Sequence, residues 1–322
     1  SRNSRREPAL NWIGRAAFAL AIVLGVTLLA FVLIVYAGTD ASQWQAGRNP
    51  TPAELERLRA MLGHDQPFIL RYLDYLRELA LFDFGHSWMS GREVAGMLAR
   101  SVPVSLAVTL PGFVLGHGLA LAVAALAAWH RNGWLDHAIN ILLVSSMSLS
   151  LLVAVIAAQL IFSSSFGLDA FPVRGWSADS AGAYLRHVAV PTLAMTFAAF
   201  TYNARFYRAV MLDELYRGYV RAARASGAGA IDIVVREVLP NLRAAIITRV
   251  LFSLPVLATS GSLLIENVFG IPGVGRVLYD AIVSGDQPVL KAVIGLAGVL
   301  FALSTLLADA LYRRADARVY PQ

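Results

Sequence analysis

The chain has 322 residues, 57% apolar and only 15% charged, with mean hydropathy +0.60 and a formal net charge of +6. A soluble domain carries about 25% charge. Here the apolar residues form long charge-free runs that leave almost no polar surface, which excludes a large soluble core. Cysteine is absent, removing disulfides and thiolate metal sites. The positive balance does not argue for nucleic acid, because the arginines flank the apolar runs, where topology signals belong.

Six runs contain no Asp, Glu, Lys or Arg: 16–39, 101–129, 138–168, 188–204, 250–265 and 292–308. Crossing a bilayer takes roughly 20 helical residues. The first three runs suffice alone and the last three with their flanks. Barrel strands would alternate in polarity over about 10 residues, and these runs do not. Helices are then the remaining way to satisfy the backbone in lipid. The predicted fold class is an all-α polytopic membrane protein with six transmembrane helices and a small external helical segment.

Residues 1–11 read as a basic tail, followed by a first span over 12–37. That run is too long for a signal-peptide core, so it reads as retained. Residues 38–100 form an external segment. Thr51 to Glu54 is a capping box with Pro52 at the first helical position, and Gly63 ends that helix. A second helix starts near Pro67, with Ile69, Tyr72, Leu73, Leu76 and Leu79 at helical spacing, and breaks at Phe82 to Gly85. This segment is either an amphipathic cap on the membrane surface or a docking surface for an external partner, with Tyr75 and Trp88 as candidate contacts.

Residues 101–312 are the core transmembrane domain. Its first span, 104–129, carries Gly112, Gly116 and Gly118, which permit close helix approach. His117 lies mid-span. It is a pathway candidate, because ionisable groups there are functional by default, or a neutral histidine bonded to a nearby carbonyl. The 137–162 span has Ser146 and Ser150 four apart on one face. They either line a polar pathway or bond back to the helix's own carbonyls. An external loop leads to a span over 188–211. A polar, Arg-rich loop, 212–243, precedes a span over 244–265, with Pro255 and Gly261 as kink sites. The external stretch 266–287 contains a turn-rich patch, Ile271 to Gly275, with Glu266, Pro272 and Gly273 as candidate partner contacts. The last span, 289–311, ends with Asp309 facing Arg313, and 313–322 is a basic tail. If six spans alternate, the arginine clusters share one side. Both termini and the 212–243 loop are then cytoplasmic.

That loop has its own physical logic. Ala222 and Ala223 are small enough for close approach, and Gly227 permits a turn between two short helices. Ile231, Val234, Val235 and Val238 recur at i, i+3, i+4 and i+7 as one apolar stripe, flanked by Arg224, Asp232, Arg236 and Glu237. Pro240 marks the exit. The stripe meets either a partner or the bundle itself. Enzyme chemistry finds no support. Lys291 is the single lysine and its neighbours are Leu290 and Ala292, so no phosphate-binding loop ending in Lys-Ser or Lys-Thr exists. Zinc-protease and nucleophile-elbow motifs are also missing.

Ala222-Ala223, Gly227 and Leu239-Pro240 resemble the cytoplasmic "EAA" loop of ABC-importer permeases. Pro52-Ala53-Glu54 with Leu62 to Pro67, then Phe84-Gly85-His86-Ser87, Glu266 to Phe269 with Pro272 to Arg276, and Asp309 to Tyr312 with Asp316 and Arg318 extend the likeness. Together they resemble the first permease subunit of the dipeptide/oligopeptide type. The departures are Arg221 where the general pattern has Glu, Glu237 for an apolar residue, no proline in Ser145 to Val153, and Ala317 for proline. The resemblance implies a type I, MetI-like permease bundle in the bacterial inner membrane, working by alternating access. It implies a second homologous permease subunit, two ATP-binding cassette subunits and a periplasmic binding protein as partners. ATP and Mg would sit on the ATPase subunits, with no cofactor in this chain. Arg221, Ala222, Ala223, Gly227, Ile231, Val235, Leu239 and Pro240 would couple the bundle to the ATPases. Short peptides are the implied solute. The alternatives are nickel complexes or another small solute on the same scaffold, or a stand-alone secondary transporter.

Overall fold

The computed structural model describes residues 7–34, 51, 66–256 and 262–315. Among them, regular structure is helical apart from an isolated bridge between His86 and Glu93. In chain order the helices are α1 (Glu7–Val32), α2 (Phe68–Leu81), α3 (Val94–Trp129), α4 (Trp134–Ser148), α5 (Leu151–Ser163), α6 (Ala181–Leu215) and α7 (Gly218–Ala225). There follow one α-turn, α8 (Ala230–Asp232), a π-helix (Ile233–Val238) and a second α-turn, α9 (Leu239–Asn241). The last four are α10 (Arg243–Val256), α11 (Ser262–Phe269), α12 (Val274–Ser284) and α13 (Gln287–Ala315). Helix thus stands at each of the six expected spans. Among the described residues, α3 and the Gln287–Ala308 part of α13 are each long and apolar enough to cross a membrane, and the bent pair α4–α5 has the make-up of either a broken span or a re-entrant loop.

Several helices outrun the charge-free runs that announce them. α3 starts at Val94 rather than at 104, leaving Pro103 inside the helix. α6 starts at Ala181 rather than at 188, where the Ser180 side chain accepts a hydrogen bond from Ala183 N–H at 3.1 Å. The reason is that the edge of the hydrocarbon is not the edge of the helix. The 137–162 span is not continuous: α4 and α5 meet at 103° around Leu149 and Ser150, both extended. No proline lies at the break, and Ser146 Oγ and Ser148 Oγ donate to the carbonyls of Leu142 and Val144 at 2.7 and 3.1 Å in the last turns before it. The 266–287 stretch is mostly helix, with its turn confined to Gly270–Gly273. The helix expected over 52–62 with Gly63, the kink at Gly261, and the side chains of Asp309 and Arg313 lie outside the described residues.

The chain divides into two compact units, 1–103 with 276–306, and 104–275 with 307–322. The first is organised by an aromatic cluster. Phe31 of α1 stacks on Tyr75 of α2 with ring centres 5.8 Å apart and meets Phe68 and Tyr72 at 5.5 and 5.7 Å. Tyr75 is buried and its hydroxyl donates to the Lys291 carbonyl of α13 at 2.9 Å. The inward face of α2 is therefore Phe68, Tyr72, Tyr75 and Leu79, while Ile69 and Leu73 of the expected stripe point outward. The second unit packs α3 against α6 at two glycines. A Cβ on Gly112 would lie 2.6 Å from Met195 Cβ, and one on Gly116 2.5 Å from Ala199 Cβ. Gly118, by contrast, faces open space.

Candidate functional site

The 218–241 loop is a rigid hairpin. α7 ends in a glycine cap: Gly227 sits at φ +87°, its N–H donates to the Arg224 carbonyl at 3.1 Å, and Ala228 N–H donates to Ala223 at 3.1 Å. This is the Schellman arrangement, whose left-handed residue is usually glycine. Val220, Ile233 and Val238 anchor the loop. All three are buried in a cluster with Ala124, Leu143, Tyr207, Met211 and Leu215, and Leu239 packs at its edge. Tyr219 OH donates to Glu214 Oε1 at 2.6 Å. Burial, together with that carboxylate, pushes its phenol up to about 12.

The expected stripe does not hold as one face. Ile233 and Val238, five apart, are 0% and 1% exposed, whereas Ile231 and Val235 are 80% and 53% exposed. The π-helix brings residues at i and i+5 into line. In a regular α-helix the Pro240 ring would clash with the carbonyl four residues back, and a widened turn relieves that crowding. The loop therefore has two apolar faces: one is buried against the unit, and the other shows Ile231 and Val235 to solvent beside Arg221, Ala222 and Gly227, all exposed. Ala223 and Pro240 are half-buried.

The three pathway candidates are not brought together. Ser146 is buried with its hydroxyl bonded to Leu142, and Ser150 is exposed beyond the break, so the two do not share a helix face. His117 is buried. Its Nδ1 faces the Phe113 carbonyl at 3.1 Å, and its Nε2 lies 3.2 Å from Ser253 Oγ of α10. One turn from Ser253, Arg249 Nε donates to Asn203 Oδ1 of α6 at 2.7 Å. The polar constellation inside this unit is therefore His117, Ser253, Asn203 and Arg249. Arg249 reads from sequence as one of the flanking arginines, and Asn203 is the one amide inside its charge-free run.

The external contact candidates are mostly buried. Tyr75, Glu266 and Gly273 are buried and Trp88 is half-buried, which leaves Pro272 exposed. Gly273 is where the chain passes close by: an added Cβ would meet Glu266 Oε2 at 2.3 Å and Ser105 Oγ at 2.5 Å. Ser105 Oγ accepts from Val274 N–H at 2.7 Å. In the first unit, the Asp286 carboxylate gathers Ser87 Oγ at 2.5 Å and the Trp88 and Met89 amides at 3.2 and 3.4 Å. These residues brace turns and do not form a free surface.

Sequence reading also missed the grip between α4 and α6. Asp136 Oδ1 and Oδ2 accept from Arg208 Nε and Nη2 at 2.8 and 2.7 Å, and Asn132 N–H and Asn140 Nδ2 complete the shell.

This architecture is that of a helical protein with segments long and apolar enough to cross a membrane. Residues 120–320 match the family model described as binding-protein-dependent transport system inner membrane component, and residues 10–109 match its N-terminal membrane component. The chain belongs to this family. It is 31% identical to the dipeptide transport system permease protein DppB of Bacillus subtilis, covering 93% of this chain and 94% of that one. It is also 31% identical to DppB of Lactococcus lactis, covering 93% and 95%. Among solved structures it is similar to the MetNI methionine ABC transporter in an inward-facing conformation, with TM-score 0.55 and 20% identity over 68% of this chain and 96% of that chain. That likeness supports the fold.

Proposed function

We propose that this chain is the permease subunit of an ATP-driven ABC importer that moves short peptides across the bacterial inner membrane. The carrying observation is the two-faced 218–241 loop. Ile233 and Val238 fasten it to the helices, while Ile231 and Val235 stay exposed on a segment that cannot fold away. Exposed apolar side chains on a rigid element mark an interaction site. On this reading the occupant is an ATPase subunit: ATP and Mg are held there, and closure of the ATPase pair pushes on the loop. The α7–α9 hairpin passes the push to α6 through Val220 and Ile233. Both termini and this loop are cytoplasmic, consistent with Arg205, Arg208, Arg217, Arg221, Arg224, Arg236 and Arg243 gathered around it. A second homologous permease subunit completes the pathway and a periplasmic binding protein delivers the solute. Peptides are favoured because the DppB relatives are named for dipeptide transport.

The test is purification and reconstitution. Two ATPase subunits and a second permease should co-purify with this chain, and peptide uptake into liposomes should require all of them plus ATP. Uptake by this chain alone, driven by an ion gradient, would sink the importer reading.

A further inference from the structure

We infer that Arg249 is a binding point for a carboxylate of the transported solute, an assignment that rests on the importer reading above. On that reading the carboxylate is the C-terminus of a short peptide. Arg249 lies on α10, six residues past its start at Arg243, in a half-buried position. Its head group is not drawn out to the end of the helix. It is held by Asn203, which is buried and lies twelve residues before the end of α6, about 18 Å along the axis. The side-chain amide of Asn203 is fixed in turn, because its Nδ2 donates to the Ala199 carbonyl at 2.5 Å. Phe206 flanks the guanidinium, its ring centre 5.2 Å from Cζ.

This arrangement uses Nε alone. Among the described residues no carboxylate pairs with Arg249, and neither Nη atom finds an acceptor. The contrast with Arg208 is direct, since that guanidinium spends Nε and Nη2 on Asp136. A guanidinium is charged at every physiological pH and offers planar donors matched to a carboxylate. Inside a membrane-spanning unit a lone positive charge is costly and marks a functional position. Asn203 sets the orientation and the Nη pair remains as a preformed fork. One turn away, Ser253, whose Oγ lies 3.2 Å from His117 Nε2, adds further hydrogen-bonding groups. An amide acceptor, rather than an acid, holds Nε. The site therefore keeps its charge for a visiting anion and can release it, as a waypoint must.

The experiment uses the reconstituted importer with trialanine and its C-terminal amide, comparing each variant with wild type for the same peptide so that the binding protein's own preference cancels. Arg249→Gln should lower trialanine uptake about tenfold or more while changing uptake of the amide by less than about twofold, the size expected for losing a charge-assisted pair. Arg249→Lys should restore part of it. Asn203→Asp, which supplies an internal carboxylate, should behave like Arg249→Gln. A second readout needs no transport: modification of Arg249 by phenylglyoxal, mapped by mass spectrometry, should be slowed by trialanine and not by its amide. Equal losses for both peptides, or equal modification with and without trialanine, overturns the assignment. A complex that assembles with its ATPases yet takes up neither peptide removes the peptide reading alone. Protection of Arg249 then decides the site.

Discussion

Arg208 of α6 and Asp136 of α4 form a two-point clasp, with hydrogen bonds of 2.8 and 2.7 Å between a guanidinium whose side chain is 20% exposed and a carboxylate whose side chain is 4% exposed. The same carboxylate caps the turn before α4 through Asn132 N–H at 3.1 Å. Removing one partner strands the other. Asp136→Ala and Arg208→Ala should each destabilise the chain by about 3 kcal/mol, and the double variant should cost clearly less than the sum. A double-mutant cycle on the detergent-solubilised protein, read by chemical denaturation, measures this. Strict additivity would show that the clasp carries no coupling.

Close packing of α3 on α6 separates three glycines that look alike in sequence. A Cβ on Gly116 meets the Thr196 carbonyl at 2.8 Å as well as Ala199, and backbone cannot step aside. Gly116→Ala should cost about 1–3 kcal/mol through overpacking. Gly118 has nothing within 4 Å, so Gly118→Ala should be neutral or stabilise by up to about 1 kcal/mol through helix propensity. Thermal unfolding of the two variants in parallel checks the pair, and equal effects would refute the packing account.

The apolar helices were legible because lipid demands them, and charge-free runs such as 101–129 and 292–308 state that demand directly. Helix ends were not, because α3 continues out through Arg100 to Val94, where charge marks the end of the lipid and not of the helix. The break at Leu149–Ser150 hides inside an uninterrupted apolar run, where composition cannot tell a straight helix from a bent one. The loop's glycine turn was readable from Gly227. The facing of its second half was not, because a 3.6-residue stripe assumes a regular helix and Ile233–Val238 is wound wider. Contacts such as Asp136–Arg208 and Asn203–Arg249 join helices distant in sequence, and spacing has no access to them.

The outward and inward faces of the loop should separate cleanly by mutation. Ile231→Asp and Val235→Asp alter exposed side chains and should leave stability within about 0.5 kcal/mol of wild type. On the importer reading they should release the ATPase subunits on purification. Ile233→Asp places an acid where exposure is 0% and should destabilise the chain by several kcal/mol. ATPase retention and denaturation midpoints for the three variants test this. If Ile231→Asp and Val235→Asp keep the full ATPase complement, the exposed face is not the docking face.

Gly227 provides the sharpest test, because sterics and backbone strain are separable there. Nothing lies within 4 Å of a Cβ built on it, so added bulk alone is harmless. Its φ of +87° is the difficulty, since an L side chain there must enter the left-handed region. Gly227→Asn should be the mildest change, because asparagine tolerates that region. Gly227→Ala should cost about 1 kcal/mol, and Gly227→Val about 2 kcal/mol because of its branched Cβ. The loss is local: the Ala228-to-Ala223 and Gly227-to-Arg224 hydrogen bonds open, and Ile231 and Val235 lose their fixed direction while the spans stay inserted. Amide hydrogen exchange at residues 227 and 228 should quicken in the order Asn, Ala, Val, and ATPase co-purification should fall in the same order. A Gly227→Val chain with wild-type exchange and a full ATPase complement would show that this cap does not set the loop's geometry.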